Sequence, residues 1–424
     1  MIRAQTSLPF HPLTILVDPP DILVGRVDIE SYAAFPEDGV ALLKQLQAGM
    51  SLQKAQTWYL EQYGEAIDMA DFIETLRELH FLQEEGEEIG RVSSASAFWQ
   101  RVGQAAFAPF AWLIYGGIVG MSIFVMIALP YLRPANGNIF FTPYISLLEL
   151  GLFCGQFPGM LFHEGFHMLA GLRLGIPSRL RIGRRLYFLV FETRLSGLWS
   201  VPRRQRYLPF LAGMLGDVLW FSVMTIMAGI FYTSGVPFSP GSFFRAMAFL
   251  TMLRLIWQFY FYLETDIYYV LTTALHCVNL QQTTRQFLLQ RLSRLLAWKS
   301  ALVDEDQWNP RDRQLAPWYA PLFLGGYLFS TATLLFIGVP VGWQFLQAVV
   351  AQLFSQAVFT SLFWNTLLFL GINVFQVGLL AFLVFRDIRQ ARMQARQKKL
   401  RMQAIYEPGR TDREANEASS SYTR

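Results

Sequence analysis

The sequence predicts an all-α polytopic membrane protein of about six transmembrane helices, preceded by a small α+β, winged-helix-like cytosolic domain. Three observations carry this. Of 424 residues, 53% are hydrophobic and only 16% are charged, against roughly 25% in soluble domains. Gln314 to Phe385 and Gly103 to Leu132 contain no Asp, Glu, Lys, Arg or His, and about 20 apolar residues cross a bilayer core. The net charge of +4 is also divided: residues 1–101 hold 7 Lys and Arg against 16 Asp and Glu, a balance of −9, and the remainder carries +13. An acidic head therefore precedes a basic membrane body. An ordinary soluble enzyme is excluded. The arginines flank the apolar runs, so the basic balance marks loops beside a bilayer and not a nucleic-acid partner.

Each element follows from local pattern. Residues 12–83 form the head. Asp21-Ile-Leu-Val-Gly and the stretch after it read as two short strands. Glu37-Asp38-Gly39 opens a helix carrying Val40, Leu42, Leu43 and Leu46. Ser51 caps a second helix that runs through Tyr63 and stops at Gly64. Asp68 caps a third, with Phe72, Leu76 and Leu79 at three-to-four spacing. Residues 84–104, rich in Glu and Ser, read as a linker. The membrane core, 105–386, contains spans near 107–131, 140–172, 208–233, 246–272, 318–341 and 362–385. The second is longer than a span requires, so it is expected to tilt, break or protrude. Residues 342–361, uncharged but rich in Gln, read as an interfacial or re-entrant segment. As a seventh span they would move the tail to the other side.

Charge sets the expected orientation. Residues 173–206 hold nine arginines, 285–313 hold six basic residues, and the tail from Arg386 holds ten, whereas the opposite loops carry only Arg133 and Arg245. Both termini are expected in the cytoplasm, and no signal-peptide pattern opens the chain. The tail 387–424 is expected to be partly disordered and to rest on anionic lipid. Cys154 and Cys277 can build neither a disulfide framework nor a cysteine metal site.

Charge is costly within a bilayer, so each ionisable residue in a span needs a reason. Three of the few fall together as His163-Glu164-Gly165-Phe166-His167, an H-E-x-x-H pattern using two of five histidines. Residues i and i+4 share a helix face, so both imidazoles can reach one Zn²⁺, with Glu164 beside them as general base. A chance polar contact is the plainer reading, but burying His-Glu-His without a metal is itself expensive. Catalytic zinc requires a third ligand and an open position. Asp266 and His276 lie at the depth of the motif, at the end of the fourth span. Asp217 lies about ten residues into the third; it follows Gly213 and Gly216, so it reads equally as a helix-packing contact. Asp266 is preferred. Glu264, two residues away, cannot share its helix face. Arg254 is expected to pair with a carboxylate such as Glu149 or Asp217.

These residues resemble a family. His163–His167 within a span resembles the motif of site-2-protease-like intramembrane zinc metalloproteases, peptidase family M50. Leu263-Glu264-Thr265-Asp266-Ile267-Tyr268-Tyr269-Val270-Leu271 resembles the family's second motif, L-D-G-Y-Y-x-L, whose Asp is the third zinc ligand; the resemblance places that role on Asp266. Ala212-Gly213 followed by Asp217 resembles an A-G-P-x-x-N segment lining the substrate cleft, which implies that Gly213 and Asp217 line it here. The chain departs from the family at Ile267 (usually Gly), Met214 (often Pro) and Asp217 (often Asn). Residues 21–83 are similar to PqqD-like domains, which bind leader peptides of ribosomally made, modified peptides.

The resemblance implies a zinc metalloendopeptidase of the bacterial cytoplasmic membrane, with one Zn²⁺ per chain. It would cut a peptide or a transmembrane protein, in company with an export or peptide-modification system. Two other classes stay open on the residues alone. One is a non-proteolytic zinc-bearing peptide-binding component of an export or immunity system. The other is a proton-coupled transporter. Leu186 to Thr193, rich in β-formers, reads either as a hairpin with Gly197 to Val201 whose free edge adds an extended substrate or as an Arg-anchored amphipathic loop.

Overall fold

The computed structural model describes residues 8–18, 21–29, 31–83, 96–142, 144–186, 188–195, 197–232, 239–295, 308–355 and 360–406. The chain divides into two units, one of residues 1–183 with 191–347 and the other of 184–190 with 348–424. It is mostly helical, with a small three-stranded sheet in the head.

Three strands, not the expected two, open the head. β1 (Thr14–Asp18), β2 (Asp21–Arg26) and β3 (Ser31–Phe35) form an antiparallel sheet in the order β1-β2-β3. Leu23 lies opposite Ala34 and Val24 opposite Ala33, so Val24 and Phe35 enter the core while Leu23 and Tyr32 point the other way. The helices follow as α1 (Glu37–Gln47), α2 (Leu52–Tyr63) and α3 (Met69–Glu78). They supply Leu42, Leu43 and Leu76, which are fully buried together with Phe81. Each such side chain contributes about 1.5–3 kcal/mol.

The third helix starts where the sequence predicts, because the Asp68 side chain accepts from the N–H groups of Ala70 and Asp71 at 2.9 and 3.1 Å. Asp68→Ala is expected to cost about 1 kcal/mol, read as faster amide exchange across Met69–Glu78. Unchanged exchange there would discount the cap. Ser51 occupies the N-cap position of α2 without a side-chain capping bond. The expected linker ends early: residues 84–95 lie outside the described residues, and α4 (Ala97–Ala106) already occupies the rest.

Among the described residues, five helical stretches are long and apolar enough to cross a bilayer. They are α5 (Pro109–Ala128), α6 (Ile145–Arg173), α7 (Arg203–Ile230), Pro310–Phe336 and Phe363–Gln390. α6 remains a single helix of 29 residues with Pro158 inside it. At about 1.5 Å per residue it spans about 43 Å, longer than a bilayer core needs. Phe107, Phe166, Ala170, Ala212 and Leu219 form a buried cluster that packs α5, α6 and α7 together.

The expected fourth span, 246–272, is not continuous. α8 (Pro240–Trp257) ends, Phe261–Leu263 forms a 3-10 turn, and α9 (Asp266–Ala274) begins anew. Gln258 stitches the break. Its carbonyl accepts from Thr265 Oγ1 at 2.6 Å, and its Oε1 accepts from the Asp266 N–H at 3.1 Å. Glu264 takes a left-handed backbone, φ 54°. A hydropathy average passes over such a break because the residues around it stay apolar.

In the C-terminal third, two of the stretches read from composition are helical over part of their length. α11 (Pro310–Thr333) leads through a π-helical turn at Leu334–Gly338 into α12 (Val339–Ser355), so residues 342–355 are helical. α13 (Ser361–Tyr406) carries the final apolar run twenty residues into the basic tail, where Gln, Arg, Lys, Ala and Met favour helix. Residues 407–424 lie outside the described residues.

The hairpin also has a different partner. β5 (Phe188–Leu195) pairs with β4 (Ser178–Arg185), while Leu198–Ser200 forms a 3-10 turn. Ser178-Arg-Leu-Arg-Ile alternates basic and apolar residues with period two. That strand signal is hidden by its arginines, which read first as loop charge. α10 (Leu280–Leu295) completes the described helices.

Candidate metal centre

His163 and His167 are 6% and 8% exposed on one face of α6. Their Nε2 atoms lie 3.1 Å apart. Asp266 Oδ2 lies 3.3 Å from His163 Nε2 and 3.2 Å from His167 Nε2. The break between α8 and α9 makes this possible by placing Asp266 on the first turn of a new helix. Among the described residues, these three form the only group suited to hold a metal ion.

The far side of each ring fixes its tautomer. His167 Nδ1 lies 2.7 Å from the Pro209 carbonyl oxygen. A carbonyl only accepts, so Nδ1 carries the hydrogen and Nε2 presents its lone pair. His163 Nδ1 donates likewise to Asp217 Oδ2 at 3.0 Å. With both rings neutral, two lone pairs and a carboxylate oxygen converge and repel one another. Asp266 Oδ2 and Glu164 Oε2 are buried with no hydrogen-bond partner among the described residues. A cation relieves that repulsion.

The size fits as well. Tetrahedral bonds of about 2.0–2.1 Å place neighbouring ligand atoms about 3.3–3.4 Å apart, close to the 3.1–3.3 Å edges here. Two imidazoles and a carboxylate suit a divalent ion such as Zn²⁺ and leave a fourth position open.

Gly213 closes the wall facing this triangle. A Cβ there would come within 2.2 Å of His167 Nε2 and 2.5 Å of His163 Nε2. Asp217 lies behind the His163 ring, away from the triangle, and is fully buried. Its Oδ1 accepts from Arg254 Nε and Nη2 at 2.9 and 2.6 Å. Arg254 Nη1 reaches Gln156 Oε1 at 3.1 Å. Gln156 lies seven residues before His163 on α6, so the circuit runs from α6 through α8 and α7 and back to α6. Glu164 is 6% exposed, and its backbone carbonyl accepts from Thr193 Oγ1 on β5 at 3.2 Å.

The structure therefore brings His163, His167, Asp266 and Gly213 together and pairs Arg254 with Asp217. His276 and Glu264 are outside the ligand group. Sequence reasoning missed Gln156, Gln258 and the Pro209 carbonyl. Gln156 had a signal: a polar residue on a transmembrane stripe two turns from His163. Gln258 and a backbone carbonyl had none. Comparison of the chain with protein-family models, with curated proteins and with solved structures returned no match.

Proposed function

We propose that the chain is a membrane-embedded zinc metalloendopeptidase, the activity its resemblance to family M50 implies. His163, His167 and Asp266 hold the ion, and Glu164 is the general base. The supporting observation is the convergence of two imidazole nitrogens and one carboxylate oxygen within 3.3 Å. When bound, zinc supplies Lewis acidity and brings the pKa of water toward about 7.

The remaining steps belong to the protein. Glu164 takes a proton from the attacking water and returns it to the leaving amine, a role that suits its unpartnered Oε2. Asp217 and the Pro209 carbonyl hold the two rings in the tautomer a metal requires. Gly213 keeps the space beside the Nε2 atoms clear. The substrate enters extended, because a helical amide is shielded by its own turn. The β4–β5 edge, tied to α6 through Thr193, offers a strand to pair with. The head recruits the peptide, as PqqD-like domains do, from the cytoplasmic side.

The hydrogen-bonded chain Gln156–Arg254–Asp217–His163 anchors the His163 ring. Glu164→Gln tests the peptidase reading. Purified in detergent, the variant should keep its zinc and cleave a fluorescence-quenched peptide library about 10²–10⁴-fold more slowly than wild type. Equal cleavage by both proteins would remove Glu164 from the chemistry.

A further inference from the structure

α4, α6 and α7 meet at one end around a cavity of about 530 Å³. Gln104 of α4 forms one wall. Arg173 and Leu174 at the end of α6 form a second, and Arg204, Leu208 and Pro209 at the start of α7 form a third. Close packing fixes these walls. A Cβ at Gly103 would come within 2.5 Å of the Leu169 carbonyl oxygen and 2.6 Å of the Arg173 backbone nitrogen, so α4 lies backbone to backbone against the end of α6.

The charge of the cavity is one-sided. No lining residue is Asp or Glu. Arg173 and Arg204 are both exposed, and neither guanidinium has a hydrogen bond or ion pair among the described residues. Arg206 shows the contrast: it is 3% exposed and donates to the Val201 and Trp199 carbonyls at 2.8 and 3.0 Å. Two unneutralised cations on facing helix ends call for an anion between them.

The position in the fold selects the source of that anion. Arg173 is the last residue of α6 and Arg204 the second of α7, two of the helices long and apolar enough to cross a bilayer. The cavity therefore sits where a span leaves the hydrocarbon. Beside it, α4 turns Phe98 and Trp99 outward, 67% and 53% exposed, and aromatic side chains gather at that level of a bilayer. Leu174 and Leu208 add apolar surface within the cavity, which a free phosphate would leave uncovered.

We infer that this cavity binds the headgroup of an anionic phospholipid. Arg173 and Arg204 take the phosphate from two sides, Gln104 donates to the rest of the headgroup, and the leucines meet the first carbons of the chains. Pro209 lines the same cavity, and its carbonyl holds His167 Nδ1 at 2.7 Å. The lipid therefore packs against the segment that orients one ring of the candidate metal centre. The site needs no peptidase activity and stands apart from the peptidase reading.

Full-length protein in an uncharged detergent is titrated with dioleoyl phosphatidylglycerol, with dioleoyl phosphatidylcholine and with glycerol phosphate, and the bound molecules are counted by native mass spectrometry. The first phosphatidylglycerol should bind about tenfold more tightly than phosphatidylcholine, and glycerol phosphate more weakly than either lipid. Arg173→Gln and Arg204→Gln should each weaken phosphatidylglycerol binding about fivefold, and the double variant more than tenfold. Arg179→Gln, an exposed arginine on β4 outside the cavity, should change it less than twofold. Equal binding of the two lipids overturns the inference, as do cavity variants that bind like wild type. An Arg179→Gln effect as large as theirs would show diffuse surface attraction in place of a site. Glycerol phosphate binding as tightly as phosphatidylglycerol would show a site for a free phosphate ester and not for a lipid.

Discussion

Gly213→Ala is expected to abolish metal binding, from about one ion per chain in the native protein to a trace. The added Cβ would lie 2.2 Å from His167 Nε2 and 2.5 Å from His163 Nε2, inside the volume an ion needs at about 2.0–2.1 Å from each nitrogen. Neither ring can retreat. His167 is tied to the Pro209 carbonyl and His163 to Asp217, and both are buried. Because the same methyl also presses on α6, thermal stability should be measured beside metal content. A stable variant that still binds a full equivalent of metal would show that the ion lies elsewhere.

Breaking the Arg254–Asp217 pair is expected to be the most destabilising change in the membrane core. Arg254→Met leaves Asp217 fully buried and charged, with only the His163 N–H as partner. Removing one member of a buried pair costs about 3–5 kcal/mol, and replacing both costs much less. Thermal unfolding in detergent should therefore rank wild type, then the Asp217→Asn/Arg254→Met double variant, then Arg254→Met alone. Asp217→Asn alone should also weaken metal binding about 10–100-fold, because the group orienting His163 is altered. If Arg254→Met melts like wild type, the pair is a surface contact in all but position.

Much of the candidate metal group is legible in the sequence, because two histidines four residues apart on one helix face leave a local signature. His163 and His167 are one helical turn apart and stand almost alone as ionisable residues in an apolar run. Asp266 was preferred from depth, yet its placement depends on something the sequence concealed. The premise that Glu264 and Asp266 share one helix fails, since α9 begins at Asp266 after a left-handed Glu264. That break depends on Gln258 bonding to residues seven and eight positions later, and no periodicity records a contact of that kind. Asp217 shows the reverse case. Its charge in a span was noticed, but its direction, toward the back of the His163 ring, is set by packing between α6 and α7.

The head was legible helix by helix because Asp68, Gly64 and the leucine spacing are local signals. The strand not foreseen is the first, β1, although Thr14-Ile-Leu-Val carries β-branched residues that mark strands.

Metal analysis of the detergent-purified protein, after zinc repletion and alongside His167→Ala, Asp266→Ala and Glu164→Gln, tests the central claim most directly. The geometry predicts about one zinc per chain in wild type and Glu164→Gln, and little or none in the two ligand variants. A wild type without zinc, or an Asp266→Ala variant that holds zinc as tightly as wild type, would contradict the three-ligand centre and the peptidase reading built on it.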